Sequence, residues 1–378
     1  MAPRPISIVG AGIGGLTLGR SLLKQGIPTV LYERAPSTPR HGYSITLHAS
    51  AYRSLLDVLD MDERTFRGQV AVDRASGGVG DINHGSIVDP RHISTTSFRA
   101  HRGRFERLLR EGLDIRWEHA VEAVRETSSG LVLWLQDGRR FDSGCVIAAD
   151  GPHSPIWKSL SSATSLRVLP FVAFSGKRLV PRAVFDSIYA SSLESSNLVE
   201  LNRAGVVFQV QVSEHQEEHA SISWVYSRSA KGPTDVLHKP DRPMSGATDM
   251  PKEFFHEIAA LRDLPQPFKE MFEIEKLKTD RILHWLMRVG LVSMQELQRL
   301  AKKEVFFMGD AVHVEPIIGG QGANVAVTDG LELAECIAKS GTKGLSEWYK
   351  AQYPDWEMGV SRSERVIREK HGEHGAGL

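Results

Sequence analysis

The sequence predicts an α/β fold in which a parallel sheet carries an inserted antiparallel sheet, with a helical segment at the C-terminus. Three observations predict it. A glycine-rich turn follows the first apolar run, period-2 alternation is confined to the middle of the chain, and a second glycine cluster opens a long helix near residue 324.

The first run reads Ile6-Ser7-Ile8-Val9-Gly10-Ala11-Gly12-Ile13-Gly14-Gly15, and Glu33 closes the next apolar run, Thr29-Val30-Leu31-Tyr32. This is the layout of a βαβ unit that binds a dinucleotide. Gly10 permits the tight turn off the strand, Gly12 lets backbone amides approach a pyrophosphate, and Gly15 allows close helix–strand packing. The helix N-terminus supplies positive potential to the phosphates. Glu33, with Arg34 beside it, falls where a carboxylate accepts from ribose hydroxyls. Leu16, Leu22 and Leu23, with small Gly19, form the expected sheet-facing side of that helix.

After a loop over Pro36–Gly42, the segment from Tyr43 to Leu59 ends as an apolar-striped helix. Residues 70–96 read as a glycine-rich β-excursion or long loop. A helix opens at Arg102, short strands follow through Leu135, and Cys145–Ala149 is a continuous apolar run, as in a strand buried on both faces. From Leu166 to about Leu286 the texture changes. Val206, Phe208, Val210 and Val212, then Ile222, Trp224 and Tyr226, alternate as half-buried antiparallel strands do. Lys231–Pro251 reads as a surface loop, Val305–Met308 as another buried strand, and a helix runs from Asn324 to Lys339.

The chain has 378 residues, with Lys plus Arg and Asp plus Glu at 46 each, so no net field draws in nucleic acid or an anionic membrane. Its length exceeds one typical core. Two cysteines, Cys145 and Cys336, form no metal-ligand spacing and no disulfide framework. The expectation is a cytoplasmic enzyme with a small-molecule substrate, a monomer or homodimer without a metal, and no membrane or nucleic-acid partner.

Two further motifs make the reading specific. Asp150-Gly151-Pro152-His153-Ser154 follows the buried strand and matches a DGxxS pattern. Gly309-Asp310-Ala311-Val312-His313-Val314-Glu315-Pro316, continued by Gly320-Gln321-Gly322-Ala323-Asn324, is similar to GDAxHxxxP…GxGxN. With the βαβ turn, these resemble the FAD-dependent aromatic hydroxylases, the single-component group A flavoprotein monooxygenases, over nearly the whole chain.

The resemblance implies a Rossmann-like FAD-binding domain from 1–68, 99–165 and 287–345, a substrate domain from 69–98 and 166–286, and C-terminal helices over 346–378. It implies FAD contacts at Gly10, Gly12, Gly14, Gly15, Glu33, Arg34, Ser44, Arg102, Asp150, Asp310, Gly320, Gly322, Ala323 and Asn324. NAD(P)H is then the co-substrate, docking near Arg40, Asp150, His153 and Lys158.

Asp310 suits hydrogen bonding to ribityl hydroxyls, and the amides of Gly322, Ala323 and Asn324 stabilise negative charge on the flavin ring. His313 reads either as packing under the flavin loop or as a proton-transfer group. Phe208, Gln209, Gln211, Trp224, Tyr226 and Arg228 are candidates to line the substrate cavity, and Tyr226 and Arg228 are the candidate catalytic pair.

The chain departs from the family pattern at five points: Ser44 replaces a glycine, no arginine follows Ser154 before Lys158, Ser175 stands where some fungal members have arginine, Glu315 adds an acid beside the flavin loop, and Ile317 replaces a common proline. The expected reaction is hydroxylation or epoxidation of an aromatic or polyunsaturated molecule, in fungal-type secondary metabolism. A non-redox FAD-bound cyclase and a flavin-binding protein without turnover share the same framework. No WxWxIP element marks a halogenase.

Overall fold

Glycine breaks the first apolar run at once, so β1 (Ile6–Val9) is short and passes through Gly10 into α1 (Ile13–Lys24) and back to β2 (Thr29–Glu33). β3 (Ser44–His48), α2 (Ala49–Leu59), α3 (Glu63–Val70), β4 (Ser97–His101), α4 (Arg102–Leu109) and β5 (Ile115–Trp117) follow. The meander β6 (Val121–Thr127), β7 (Gly130–Leu135) and β8 (Arg140–Ser143) leads to β9 (Val146–Ala148) and α5 (Pro155–Leu160). The computed structural model describes residues 5–38, 42–73, 97–128, 130–161, 166–193, 196–318 and 321–372. Most of the expected excursion over 70–96 lies outside the described residues, as do Arg40 and Gly320.

The middle of the chain contributes β10 (Leu166–Pro181), α6 (Arg182–Val184), α7 (Ala190–Leu193), β11 (Leu198–Arg203), β12 (Val206–His215), β13 (His219–Ser229), α8 (Lys252–Ala259), α9 (Phe268–Met271), α10 (Ile274–Leu277) and β14 (Arg281–Leu291). The chain closes with α11 (Met294–Ala301), β15 (Val305–Phe307), β16 (His313–Val314), α12 (Gly322–Ser340) and α13 (Leu345–Lys370). The stretch 43–59 is thus a strand followed by a helix, and the 231–251 loop contains a 3-10 turn over Met244–Thr248.

Two sheets organise the molecule. The first has strand order β15, β9, β1, β2, β5, all parallel, with β1, β9 and β15 buried throughout. Its apolar runs carry no polar alternation because helices cover both faces. The chain leaves β1 toward β2 on one side and reaches β9 on the other, so the crevice at the carboxyl end of β1 is the switch point where ligands bind in such sheets. Leu23 turns outward and is 44% exposed, leaving the sheet-facing side to Leu16, Leu18 and Leu22.

The second sheet is antiparallel in the order β11, β12, β13, β10, β14, β16. Period 2 separates its faces. Val172 and Phe174, with Phe208, Val210, Ile222, Trp224 and Tyr226, pack into one core with Phe254, Phe268 and Phe272 from the helical side. Phe171, Ala173, Val225, Met287 and Val289 form the opposite face, which packs on Ile318 and on Ile367 of α13.

β16 belongs to the GDAxH motif yet pairs with β14, at Gly290–Val314 and Leu291–His313, so the flavin-type loop is hydrogen-bonded into the antiparallel sheet. α13 is one helix that joins both bodies. Trp348, Tyr349 and Trp356 enter the core of the first sheet, while Ile367 enters the second.

Candidate functional site

The floor of the site is the first βα turn. Gly10 has φ 106°, and a Cβ there would stand 2.4 Å from the Ala149 carbonyl oxygen. At Gly15 a Cβ would stand 2.1 Å from the Gly10 carbonyl oxygen. At Gly14 it would meet Met308 at 3.3 Å, and at Gly12 it would meet open space. The turn is therefore closed on its protein side and open on its crevice side.

Glu33 is buried and accepts from the amides of Ala11 and Ala35, each at 2.9 Å, which fixes its carboxylate at the rim of the turn. A carboxylate offers about four acceptor sites, enough to serve ribose hydroxyls beside these amides. Arg34 is exposed next to it and acts electrostatically on Asp150 and His153.

The DGxxS motif sits against the same turn. Gly151 has φ 84°, Ser154 caps α5 by accepting from Trp157 N–H at 2.9 Å, and Pro155 occupies the first turn of that helix. Ser154 donates to Asp150 Oδ2 at 2.8 Å, while Asp150 Oδ1 is sealed from solvent with no hydrogen-bond partner among the described residues. An orphaned buried acceptor facing a nucleotide turn fits a ligand that brings donors.

Burial pushes the Asp150 carboxyl up to about 7, only partly offset by Ser154 and Arg34. The folded chain then holds this proton at pH values where the unfolded chain has released it, so rising pH favours unfolding between about 4 and 7. Asp150→Asn should raise the melting temperature of the apoprotein at pH 8, with the gain vanishing toward pH 4. A thermal-shift series in which the gain grew on acidification would contradict this.

The third motif closes the crevice. Asp310 is exposed at the turn after β15, and its Oδ1 lies 3.5 Å from the position a Cβ on Gly322 would take, at the start of α12. Surrounding protein raises its carboxyl above the usual range, while His313 and Arg102 pull it back. The Gly322 and Ala323 amides have no acceptor among the described residues, whereas the Asn324 amide bonds Gln321 O at 2.8 Å. Asn324 acts through its side chain, which donates to Thr46 O at 3.0 Å and accepts from His48 N–H at 2.9 Å. It therefore ties the start of α12 to β3.

Arg102 opens α4, with Nε on Glu106 at 2.8 Å and Nη1 on the Tyr43 hydroxyl. Ser44 is buried, and its hydroxyl and carbonyl both accept from Arg99, at 2.7 and 2.9 Å. Arg99 also bonds Gln211 of β12, so it locks β3 to the antiparallel sheet, and burial pulls its guanidinium down to about 9.

His313 takes the packing role. It is 1% exposed, its Nε2 lies 2.8 Å from Asp329 Oδ2, and its ring stacks on Trp356 at 5.0 Å. Asp329 also accepts from Gly309 N–H at 2.9 Å and from Trp356 Nε1–H at 3.0 Å. Sequence reasoning missed this anchor, although an acid inside the apolar run Val325–Leu331 of a helix is the signal for one.

The proposed catalytic pair is corrected. Tyr226 and Arg228 share the helix-covered face of β13, away from Ile318, because residues of equal parity project together. The Tyr226 hydroxyl donates to Glu257. Arg228 donates through Nη2 to Glu257 at 3.0 Å and through Nη1 to Asp235 at 2.5 Å. Burial and Glu257 hold the Tyr226 phenol far above its usual range, so it is protonated at any working pH. Phe208 and Trp224 share that core. Gln209 and Gln211 project to the other face, which the sequence did not distinguish.

That other face is bracketed by the flavin-type loops. Lys177 donates to Gly42 O at 2.7 Å on one side, and Ile318 packs on Phe171, Ala173 and Met287 on the other. Between them Trp285 is 37% exposed, with its indole N–H donated to Ser175 Oγ at 2.7 Å. Trp285 and Ser175 carried no sequence signal beyond the departure at 175.

The residues present fit FAD: an open phosphate turn, an anchored ribose carboxylate and, among the described residues, an orphaned Asp150 oxygen and two amides without an acceptor at the start of α12. Comparison with known proteins agrees. A family model described as FAD binding domain matches residues 4–169 and 184–353. FAD-dependent monooxygenase nscC of Aspergillus fumigatus is 32% identical over 97% of this chain and 94% of its own length. That of Arthroderma otae is 29% identical over 96% and 92%. FAD-dependent monooxygenase adaC of Aspergillus niger is 30% identical over 97% and 93%.

Among solved structures, CtdE in complex with FAD and substrate superposes with a TM-score of 0.73 at 17% identity, over 99% of this chain and 91% of its own. 2,6-Dihydroxypyridine-3-hydroxylase from Arthrobacter nicotinovorans gives 0.72 at 18%, over 99% and 94%. The chain belongs to the FAD binding domain family, and its relatives are fungal FAD-dependent monooxygenases. Among the described residues, no helix is long and apolar enough to cross a membrane, and no group of three or more His, Cys, Asp or Glu could hold a metal ion.

Proposed function

We propose that the protein is an FAD-dependent monooxygenase that uses NAD(P)H and O2 to hydroxylate or epoxidise an aromatic or polyunsaturated small molecule in fungal-type secondary metabolism. The observation that carries the substrate half is the sheet face between Gly42 and Ile318. It presents Trp285 as an indole platform with its polar edge already satisfied by Ser175, so its π face is available to a flat apolar molecule. Gln211, held by Arg99, supplies a polar group on the same face. Sites of this kind pair an apolar lining with a few placed polar groups.

When bound, FAD supplies the hydride acceptance and oxygen activation. The chain's own contribution is positional and electrostatic. Glu33 and the βα turn hold the adenosine and phosphates, Asp310 the ribityl chain, and the Gly322 and Ala323 amides stabilise charge on the ring. Lys177–Gly42 and β16–β14 keep the roofing sheet seated, which excludes water from the ring.

The reductant requires a cationic landing site beside Asp150. Arg34, Lys158 and Arg288 form one around His153, whose imidazole burial and these three charges hold below its usual range, and none of the three makes an ion pair among the described residues. Arg288 compensates for the arginine missing after Ser154.

The expected result is that NAD(P)H bleaches the yellow protein, that substrate accelerates the bleaching, and that one atom from 18O2 enters the product. Full conversion by FAD-loaded protein under anaerobic conditions without reductant would replace this reading by the cyclase.

A further inference from the structure

The cationic surface does not end at Arg288. Along β14, His284 lies with Arg288 on the face opposite Trp285, about 13 Å away at the usual rise per residue, where β14 is an edge strand among the described residues because β16 pairs only with Gly290 and Leu291. There the 3-10 turn Met244–Thr248 lies over the strand and encloses a recess of about 360 Å³ lined by Lys239, Arg242, Ser245, Gly246, Asp249 and His284.

Arg242 is anchored by its own neighbours, Nη1 on Pro243 O at 3.1 Å and Nη2 on His284 O, and its charge is felt at Arg288. Lys239 is exposed and makes no ion pair among the described residues. Asp249 supplies one negative charge near Arg242, and no other acid lines the recess. His284 is 2% exposed and stacked on Phe174 at 4.5 Å. Burial, followed by Arg242 and Lys239, pulls it down to about 4, so it is neutral and contributes no charge.

The recess thus holds two cations against one acid, one of them rigid, at the far end of a track that begins beside Asp150. A dinucleotide lying along this track with its diphosphate at His153 and Arg288 directs its adenosine end here. We propose that Lys239 and Arg242 seat the 2′-phosphate of NADPH, which makes the enzyme select NADPH over NADH. A phosphomonoester carries close to two negative charges at neutral pH and three strong acceptor oxygens, whereas the NADH ribose offers only a neutral hydroxyl. Arg242 presents fixed donors to such a group, Lys239 a mobile point charge, and the Ser245 hydroxyl is a further donor.

This inference rests on the monooxygenase reading for the direction of the track, and the experiment separates the two. Calorimetry on the FAD-loaded protein compares 2′,5′-ADP with ADP, and anaerobic stopped flow measures flavin reduction by NADPH and NADH. We expect 2′,5′-ADP to bind at least tenfold more tightly than ADP, and NADPH to show a Kd at least tenfold below that of NADH. Lys239→Gln, at an exposed position with no ion pair among the described residues, should shrink both ratios severalfold, and Lys239→Gln with Arg242→Gln should bring them near one.

Equal binding of the two probes, or ratios unmoved by Lys239→Gln, overturns the seat. Selective 2′,5′-ADP binding that both variants abolish, without flavin reduction by either nucleotide, supports the seat and overturns the monooxygenase reading instead.

Discussion

Replacing Asp329 by alanine is expected to destabilise the folded protein by about 3–5 kcal/mol and to loosen the loop that carries Asp310. Three buried donors converge on this carboxylate: Gly309 N–H, His313 Nε2–H and Trp356 Nε1–H. Removing it leaves all three without their acceptor in a site that water does not reach, and such a loss exceeds that of an ordinary hydrogen bond. Because Trp356 lies on α13 and Gly309 opens the GDAxH turn, the change also uncouples the C-terminal helix from the flavin-type loop.

The effect should depend on pH in a defined direction. Burial alone would depress the His313 imidazole, but Asp329 at 2.8 Å raises it above its ordinary value. Its stabilisation is then complete below about pH 6.5, the unfolded value, and fades as pH rises through the folded value. The melting-temperature gap between wild type and Asp329→Ala should be widest at pH 6 and narrow toward pH 9. A gap that widened with alkalinity would show that the pair does not carry the stability.

Gly15→Val is expected to yield protein without flavin. A Cβ at this position would stand 2.1 Å from the Gly10 carbonyl oxygen, which is backbone and cannot swing aside. The βα turn must then open, and with it the geometry that aims the first amides of α1 at a pyrophosphate. Gly12→Ala is the matched control, because nothing lies within 4 Å of the added methyl. Its apoprotein should melt with the wild type while flavin affinity falls, since the methyl projects into the crevice. Flavin absorbance per protein and apoprotein melting temperature read both variants. Wild-type flavin content in Gly15→Val would refute the role assigned to the turn.

Much of the first sheet was legible because its signals are local. Gly10 and Gly15 are required by the turn itself and Gly12 keeps its crevice side open, Glu33 follows at the end of the next strand, and uninterrupted apolar runs at 146–148 and 305–307 mark strands buried on both faces. The antiparallel texture of the middle of the chain was legible for the same reason, since period 2 is written in consecutive residues.

What the alternation does not state is which face looks toward the cofactor. Tyr226 and Arg228 read as cavity residues, and only the packing of Phe254, Phe268 and Phe272 on one face and Ile318 on the other shows that they lie on the helix-covered face, while Trp285, Ser175 and Gln211 lie on the face that packs on Ile318. The pairing of β16 with β14, the convergence of three donors on Asp329 and the gathering of Arg34, His153, Lys158 and Arg288 were likewise decided by tertiary structure. Their partners stand far apart in sequence. Local propensity and spacing fix a turn, a strand period or a cap, but the electrostatics of a site depend on which distant segments share a few ångströms of low-dielectric space, and only the folded chain sets that.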